Sequence, residues 1–594
     1  MMKRVESFFC LTFIFATLTV LFFLLGIWSQ QDGFGLVQAD RIQPAGPVFS
    51  YIFASDSLYE RAIQATDGIE RVGSRSAIVA HHLLVADKIA RQIAVLGKGR
   101  EKTVVILSPN HFSLGRSAMQ TAIGSWRTPY GDLEADESAI ESLRASVSDL
   151  TLEPETFKQE HGISAITPFV KKWFPDAKLV AISIHENATI EQTNSLATAI
   201  ALQLPDAIVI GSVDMSHNLP RHIQEYHDAV TIRSIQNGGC DDGCHLEVDA
   251  NSVLDTLFEI NRMRGTQQWE QTHHGSSLAM GATNDWRENT SHILGYFLEG
   301  VPIDDPFVSL HFVGDVMLDR GVREKINEFG IDYPWKEMER YLIGSDYRVA
   351  NLEGTISEKE SLYTHEPPFV FTFAPTFVEA MKPFIDVVSL ANNHADDYGE
   401  SGEEETRRRL DELDIQWFGG STSSETVYRI DKDGIVISLV GYHQFGTSIE
   451  DIERVIQQED ASGRFVIVFP HWGEEYIASP QSGQREKAKR MIAAGADLII
   501  GSHPHVVQGI ETIDGVPVIY SMGNFVFDQM FGETTKGMTV GVILNAKGGT
   551  LYLSPVSTAG AQPTPMSDEE AQTLFSTLSI PSSPIIFSYD ESSS

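Results

Sequence analysis

The sequence predicts an α/β protein built as two globular domains, and three observations carry that. The chain has 594 residues, more than one core organises, so two domains of roughly 250 residues each are expected. Hydrophobic residues make up 42% and charged residues 21%, a balance of folded rather than disordered protein. Short apolar runs alternate with amphipathic stretches along most of the length, the pattern of buried strands interleaved with helices.

The N-terminus comes first. Residues 1–6 form a basic stub, with Lys3 and Arg4 ahead of SFFCLTFIFATLTVLFFLLGIW at 7–28. That uncharged run has about the ~20 residues a bilayer-spanning helix needs, and it exceeds the ~7–15-residue core of a cleavable signal. It reads as a transmembrane signal anchor with the N-terminus cytoplasmic. Cleavage after Val37-Gln38-Ala39 is the alternative. Residues 29–48 are polar and Gly/Gln-rich, as in a tether.

The first domain is placed at 49–300. Its strands are expected at 76–80, 103–108, 178–184 and 207–212, with helices at 137–147 and 190–204 between them. GVPIDDP breaks the pattern and marks a linker at 301–306. The second domain, 307–562, repeats the alternation. Strands are expected at 309–314, 347–352, 386–391, 464–469, 497–502 and 517–522, and helices at 402–413 and 484–494. Residues 563–594 read as a short helix and a disordered tail.

The formal net charge is −37, which excludes a nucleic-acid partner because phosphate backbones need a basic surface. Three cysteines exclude a disulfide framework. For Cys240 and Cys244 in NGGCDDGCH, free thiols, a disulfide, and a metal site with His245 all stay open.

The chemistry lies at strand ends. In the second domain the expected strands deliver Asp315, Glu353, Asn392-Asn393-His394, His471-Trp472, His503 with His505, and Asn524. Ligands of open α/β sheets bind at the carboxyl ends of strands. Turn chemistry favours Gly, Asn and Asp but does not call for histidine at three separate strand ends. Carboxylate, amide and imidazole without thiolate suit Mn, Fe or Zn, as one or two divalent ions.

The motifs GDVML (314–318), NLEG (351–354), ANNHADDYG (391–399), HWGEEY (471–476), GADLIIGSHPHVVQ (495–508) and YSMGNFVFD (520–528) resemble the CapA family of poly-γ-glutamate capsule synthesis. The resemblance implies a fold like calcineurin-type metallophosphoesterases, an αββα sandwich. By it, Asp315 and His505 serve a first metal, Glu353 bridges, and Asn393, His471 and His503 serve a second. His394 protonates a leaving group. Beside these residues, Trp472 and Asn524 are expected to line the substrate, with two alternatives open: His471 binds substrate instead of metal, and Trp472 simply packs. One departure is Met317, where phosphoesterases carry a histidine ligand of the first metal.

In the first domain, strand ends lead to His81 and His82, to Asn110 and His111, and to Asp214 and His217, while Glu160-His161 opens a helix. AHHL (80–83), LSPNHF (107–112), WRTPYGDL (126–133), EHGISAITPF (160–169), SVDMSH (212–217) and DWRENTSHILGYF (285–297) resemble the Memo-like family, also called AmmeMemoRadiSam system protein B. The implied fold is that of class III extradiol dioxygenases. The implied metal set is His81, His111 and His217, holding one Fe, Cu or Zn, with His161 and Cys244 at the substrate. His82-Leu83 and Ser164 depart from the family pattern.

The expected function is therefore that of a membrane-anchored, extracytoplasmic CapA-like protein. It would act on a capsule or cell-envelope polymer through a metal-dependent phosphoesterase-like site. Its expected partners are that polymer, the membrane, and proteins of the capsule machinery. Two alternatives stand beside it: a non-catalytic scaffold of a capsule-export assembly, and redox or dioxygenase-like chemistry in the first domain.

Overall fold

The computed structural model describes residues 47–50, 54–240, 243–358, 369–422, 427–581 and 583–588. Gly46–Ser594 forms one compact unit. Every hydrophobic core among the described residues lies within it. The expected membrane span at 7–28 lies outside the described residues. Among the described residues no helix is long and apolar enough to cross a membrane.

The first half holds a mixed eight-stranded sheet. Its centre is four parallel strands: Ser76–Val79, Ile208–Ser212, Thr103–Pro109 and Lys178–Ile184. These are almost wholly buried, because helices cover both faces. Ala86–Val95 and Thr167–Trp173 pack on one face through Ile89, Ile93 and Phe169. Glu137–Ser146, Ile190–Gln203 and Asn251–Arg264 pack on the other through Leu143, Leu196 and Leu257. Thr189 begins Ile190–Gln203 with a reciprocal capping box to Gln192. Two antiparallel strands were not expected: Gln268–Ser276 at the sheet edge, whose residues are largely polar, and Ser291–Leu298 between it and Ser76–Val79.

The second half stacks two sheets. A nine-stranded sheet carries Tyr347–Leu352 and Val387–Ser389 parallel to Phe307–Val316. A six-stranded sheet carries Phe465–His471, Leu498–Ile500 and Val516–Ile519, again parallel. Leu310, Phe312 and Val349 of one sheet and Leu439, Ile467 and Ile500 of the other share the core between them. Ile449–Asp460 and Ser482–Ala493 cover the outside of the six-stranded sheet. The parallel strands of both sheets end on one side, and that edge collects their C-terminal residues.

One expectation needs correction. The C-terminal segment is not a helix followed only by a disordered tail. After the helix Asp568–Leu578, Ile585–Ser588 pairs antiparallel with Gly548–Ser557 and adds an edge strand. Phe587 is buried there against the inter-sheet core, which supplies the driving force.

The two halves are also more than linked. Residues 301–306 have no regular structure, but the helix Arg221–Gln236 of the first half packs on Gly548–Ser557 of the second. The Tyr226 hydroxyl lies 2.7 Å from the Ser345 hydroxyl and 3.3 Å from the Leu310 carbonyl. Gly541 is required opposite it, since a Cβ there would sit 2.5 Å from the ring. His222 Nε2 donates to the Met566 carbonyl at 2.9 Å, and His227 Nε2 to Tyr341 at 3.2 Å.

Candidate functional site

In the second half, the strand edge brings Asp315, Glu353 and His505 together, all buried, with one ligand atom of each within 4.8 Å of the others. Asp315 ends its strand at a point where Gly314 lets the Gly523 carbonyl approach. A Cβ on Gly314 would meet that oxygen at 2.0 Å. His505 Nδ1 lies 3.0 Å from Asn524 Oδ1 and 3.3 Å from Asp315, while Nε2 lies 3.7 Å from Glu353.

A second group adjoins the first. His471 Nε2 lies 2.7 Å from Asn393 Oδ1 and 3.0 Å from His503 Nδ1. Asn351 ties the groups together, donating to Asp315 at 2.8 Å and lying 3.3 Å from His471 Nδ1. His503 and His505 both sit at positive φ, 97° and 57°, uncommon for residues with a Cβ. That conformation costs of order 1–3 kcal/mol per residue and is retained here in the loop that aims both rings.

The electrostatics fit a cation. Burial pushes the Glu353 carboxyl up to about 7, with His505 opposing and Asp315 adding to the rise. Burial also works against charge on His505, but Glu353 and Asp315 overcome it and raise the imidazole to about 9. His503 is depressed to about 3 by burial and by His505, and burial with His503 holds His471 well below its ordinary value. Those two are thus neutral at pH 7, the form that ligates metal. Paired buried carboxylates beside neutral imidazoles and an amide oxygen form a donor set suited to Mn, Fe or Zn.

His394 stands at the side of this set. Its Nδ1 donates to Asp397 at 2.9 Å, its ring stacks on Phe371 at 4.1 Å, and its Nε2 lies 3.9 Å from Glu353. A ring fixed in this way presents Nε2 to whatever the carboxylates hold.

Two expectations here change. Trp472 does not line a substrate. It is fully buried, donates to the Tyr520 carbonyl at 2.9 Å and packs in the core under the outer helices. Asn524 is buried and orients His505, its amide nitrogen being spent on Gln529 and the Thr534 carbonyl. Met317, where the sequence departs from the phosphoesterase pattern, lies in the core with its sulfur accepting from the Asp319 N–H at 3.1 Å. Sequence reading missed Asn351 and Asp397. Asn351 lies two residues before Glu353, so it shares a face of the extended chain, and Asp397 lies three after His394.

The first half gathers His81, His111 and His161, and separately His81 with Asp214 and Asp249. His81 Nε2 lies 3.4 Å from Asp214 and 3.2 Å from Asp249. The Ser212 hydroxyl donates to the Gly162 carbonyl at 2.5 Å, so it accepts from His81 Nδ1 at 3.1 Å and leaves Nε2 facing the carboxylates. His111 Nδ1 donates to Glu160 at 2.6 Å, which likewise frees its Nε2. Burial works against charge on His111, yet Asp249 and Glu160 raise it to about 10. Burial, His111 and His81 depress His161 to about 4.

The expected set is therefore corrected. His161, not His217, is the third imidazole with ligand atoms close to both His81 and His111, while the largely buried His217 ring stands further off, within electrostatic reach of Asp249 and Asp214. Cys244 is buried in a disulfide with Cys240 and offers no thiol to a substrate, so the free-thiol and metal readings of that pair both fall away. The residue that faces His81 and His111 from the same loop is Asp249, whose Oδ1 is buried without a hydrogen-bond partner. No strand end announces Asp249, which is why the sequence hides it.

Comparison with known proteins follows this division. Residues 309–529 match the family described as bacterial capsule synthesis protein PGA_cap, and residues 73–268 match the Memo-like protein family. A capsule biosynthesis protein CapA of Bacillus anthracis is 30% identical over 285 residues, covering 44% of this chain and 69% of that protein. A PGA biosynthesis protein CapA of Bacillus subtilis is 30% identical over 283 residues, covering 44% of this chain and 74% of that protein. A MEMO1 family protein of Caldivirga maquilingensis is 32% identical over 206 residues, covering 34% of this chain and 70% of that protein. By its second half this chain belongs to the CapA family of capsule biosynthesis, and by its first half to the Memo-like family, the two fused in one polypeptide.

Proposed function

We propose that the protein is a metal-dependent phosphoesterase-like component of capsule or cell-envelope polymer biosynthesis, held outside the cytoplasm by an anchor at 7–28. The observation that carries this is the convergence of Asp315, Glu353, Asn393, His471, His503 and His505 on one edge of two sheets, with His394 Nε2 beside them. A divalent ion held by these residues would supply Lewis acidity for a phosphoryl group. Asp315, Glu353 and His505 would hold one ion, and Asn393, His471 and His503 a second. His394, oriented by Asp397, gives its Nε2 proton to the leaving oxygen.

The test is hydrolysis of a model phosphodiester with Mn²⁺ by the wild type and His394→Ala. A fall in kcat of roughly 100-fold or more, at unchanged metal content, is expected from loss of the general acid. Full activity in the variant removes that role.

One observation favours a second reading, a metal-binding scaffold without turnover. Met317 fills the core where a further ligand of the first ion would stand. Turnover of any phosphodiester at a rate abolished by His394→Ala contradicts it. For the first half, the reading supported by His81, His111, His161 and Asp249 is a separate single-metal pocket. Failure of the protein to take up iron, copper or zinc at that pocket overturns it.

A further inference from the structure

The mouth of the second-half site has an unusual surface for so acidic a protein. Phe445 is 60% exposed, Phe531 53%, Met530 48%, Tyr476 44% and Ile477 39%. Single exposed apolar side chains need no explanation, but a cluster around one opening does. These five come from loops that follow Ile435–His443, Phe465–His471 and Asn524–Val526, two of which also supply His471 and Asn524 to the site.

Two of the rings contact the donor histidines, and a third packs on one of them. Phe445 is 5.1 Å from the His503 ring, centroid to centroid, and Tyr476 is 6.2 Å from His505 and 5.1 Å from Phe531. The apolar rim thus begins at the imidazoles and runs outward. A chain on a ligand anchored at the donor groups can reach it.

We propose that the site takes a phosphoester bearing an apolar chain, with the phosphate at the metal-binding residues and the chain across Phe445, Tyr476, Ile477, Met530 and Phe531. This rests on the metal-site reading above and names the class of ligand. Exposed Glu474 and Glu475, next to Tyr476 in the chain, disfavour a polyanionic chain lying over the rim. Ile477 and Met530 offer neither a flat face nor a hydrogen bond to a sugar, yet both suit methylene groups. Each methylene moved from water to such a surface strengthens binding by up to about fourfold.

The experiment is calorimetric titration of the Mn²⁺-loaded Gly46–Ser594 unit, which contains all the cores described, with four probes. These are inorganic phosphate, methyl phosphate, N-acetylglucosamine 1-phosphate, and octyl phosphate below its micellar concentration. Octyl phosphate is expected to bind at least about 30-fold more tightly than methyl phosphate, seven added methylenes being only partly covered. In Phe445→Ser/Phe531→Ser that advantage falls at least tenfold while methyl phosphate binding is unchanged. Equal affinity for octyl and methyl phosphate overturns the proposal and leaves the metal-site reading intact. So does an octyl advantage that survives the double substitution, or a gain seen only with the sugar phosphate. Absence of binding by every phosphate overturns both.

Discussion

The two histidine-rich centres of this chain obey one rule and differ in how they obey it. In the second half, nearly every donor is the last residue of a strand or lies within a few residues of one, and two sheets contribute. In the first half, a single sheet contributes His81 and His111, while His161 comes from the start of a helix and Asp249 from a loop. The second centre encloses fully buried carboxylates, whereas His111 and His161 in the first are only partly buried. The difference shows that a centre built between two sheets is specified by strand register, but one built on a single sheet must recruit donors from connections that carry no periodic signal.

The largest effect is expected from Asp315→Asn/His505→Ala. Metal affinity of the second half should fall by about 100-fold or more, because two of the proposed ligands of one ion are lost. Uptake by the first half should be unchanged. Equal loss at both centres, read by elemental analysis, would break the claim that they are independent.

Trp472→Ala should cost about 3–5 kcal/mol of stability, the usual cost of emptying a large aromatic site, as measured by chemical unfolding. A variant with native stability and altered substrate affinity would return Trp472 to the substrate. In the first half, Asp249→Ala should weaken metal binding by roughly 10–100-fold, whereas His217→Ala should change it by less than about threefold. The reverse order would restore His217 to the ligand set.

The smallest effect concerns pH. Burial depresses His227 to about 4 and His311 to about 3, both beside the surface joining the halves. The unfolded chain takes up these protons below about pH 6.5, and the folded chain resists until about pH 4 and 3. Their stabilising contribution is therefore complete above about 6.5 and is lost as pH falls through that window. His311→Gln should flatten the decline in unfolding midpoint between pH 6.5 and 4. An unchanged slope would show that His311 is not a source of the acid sensitivity.

Much of this was legible. The parallel strands at 103–108, 178–184 and 347–352 stand within one residue of where their apolar runs place them, because strands buried on both faces leave uninterrupted hydrophobic sequence. Asp315, Glu353 and His505 were legible because each follows such a run. Trp472 was misread because adjacency to His471 says nothing about direction, and successive residues of an extended chain point to opposite faces. Ile585–Ser588 was hidden by its serine- and proline-rich surroundings, and only the exposed edge of Gly548–Ser557 gives it a partner. The sealed joint between the halves was invisible, since nothing in Arg221–Gln236 announces that Tyr226 needs a glycine at 541.

The most direct measurement is anomalous diffraction at the manganese edge from crystals of the Gly46–Ser594 unit grown with Mn²⁺. The account predicts a peak within about 2.0–2.5 Å of ligand atoms of Asp315, Glu353 and His505, at the usual span of metal–oxygen and metal–nitrogen bonds. A map with no peak at these residues, under conditions where Mn²⁺ is in excess, would contradict it.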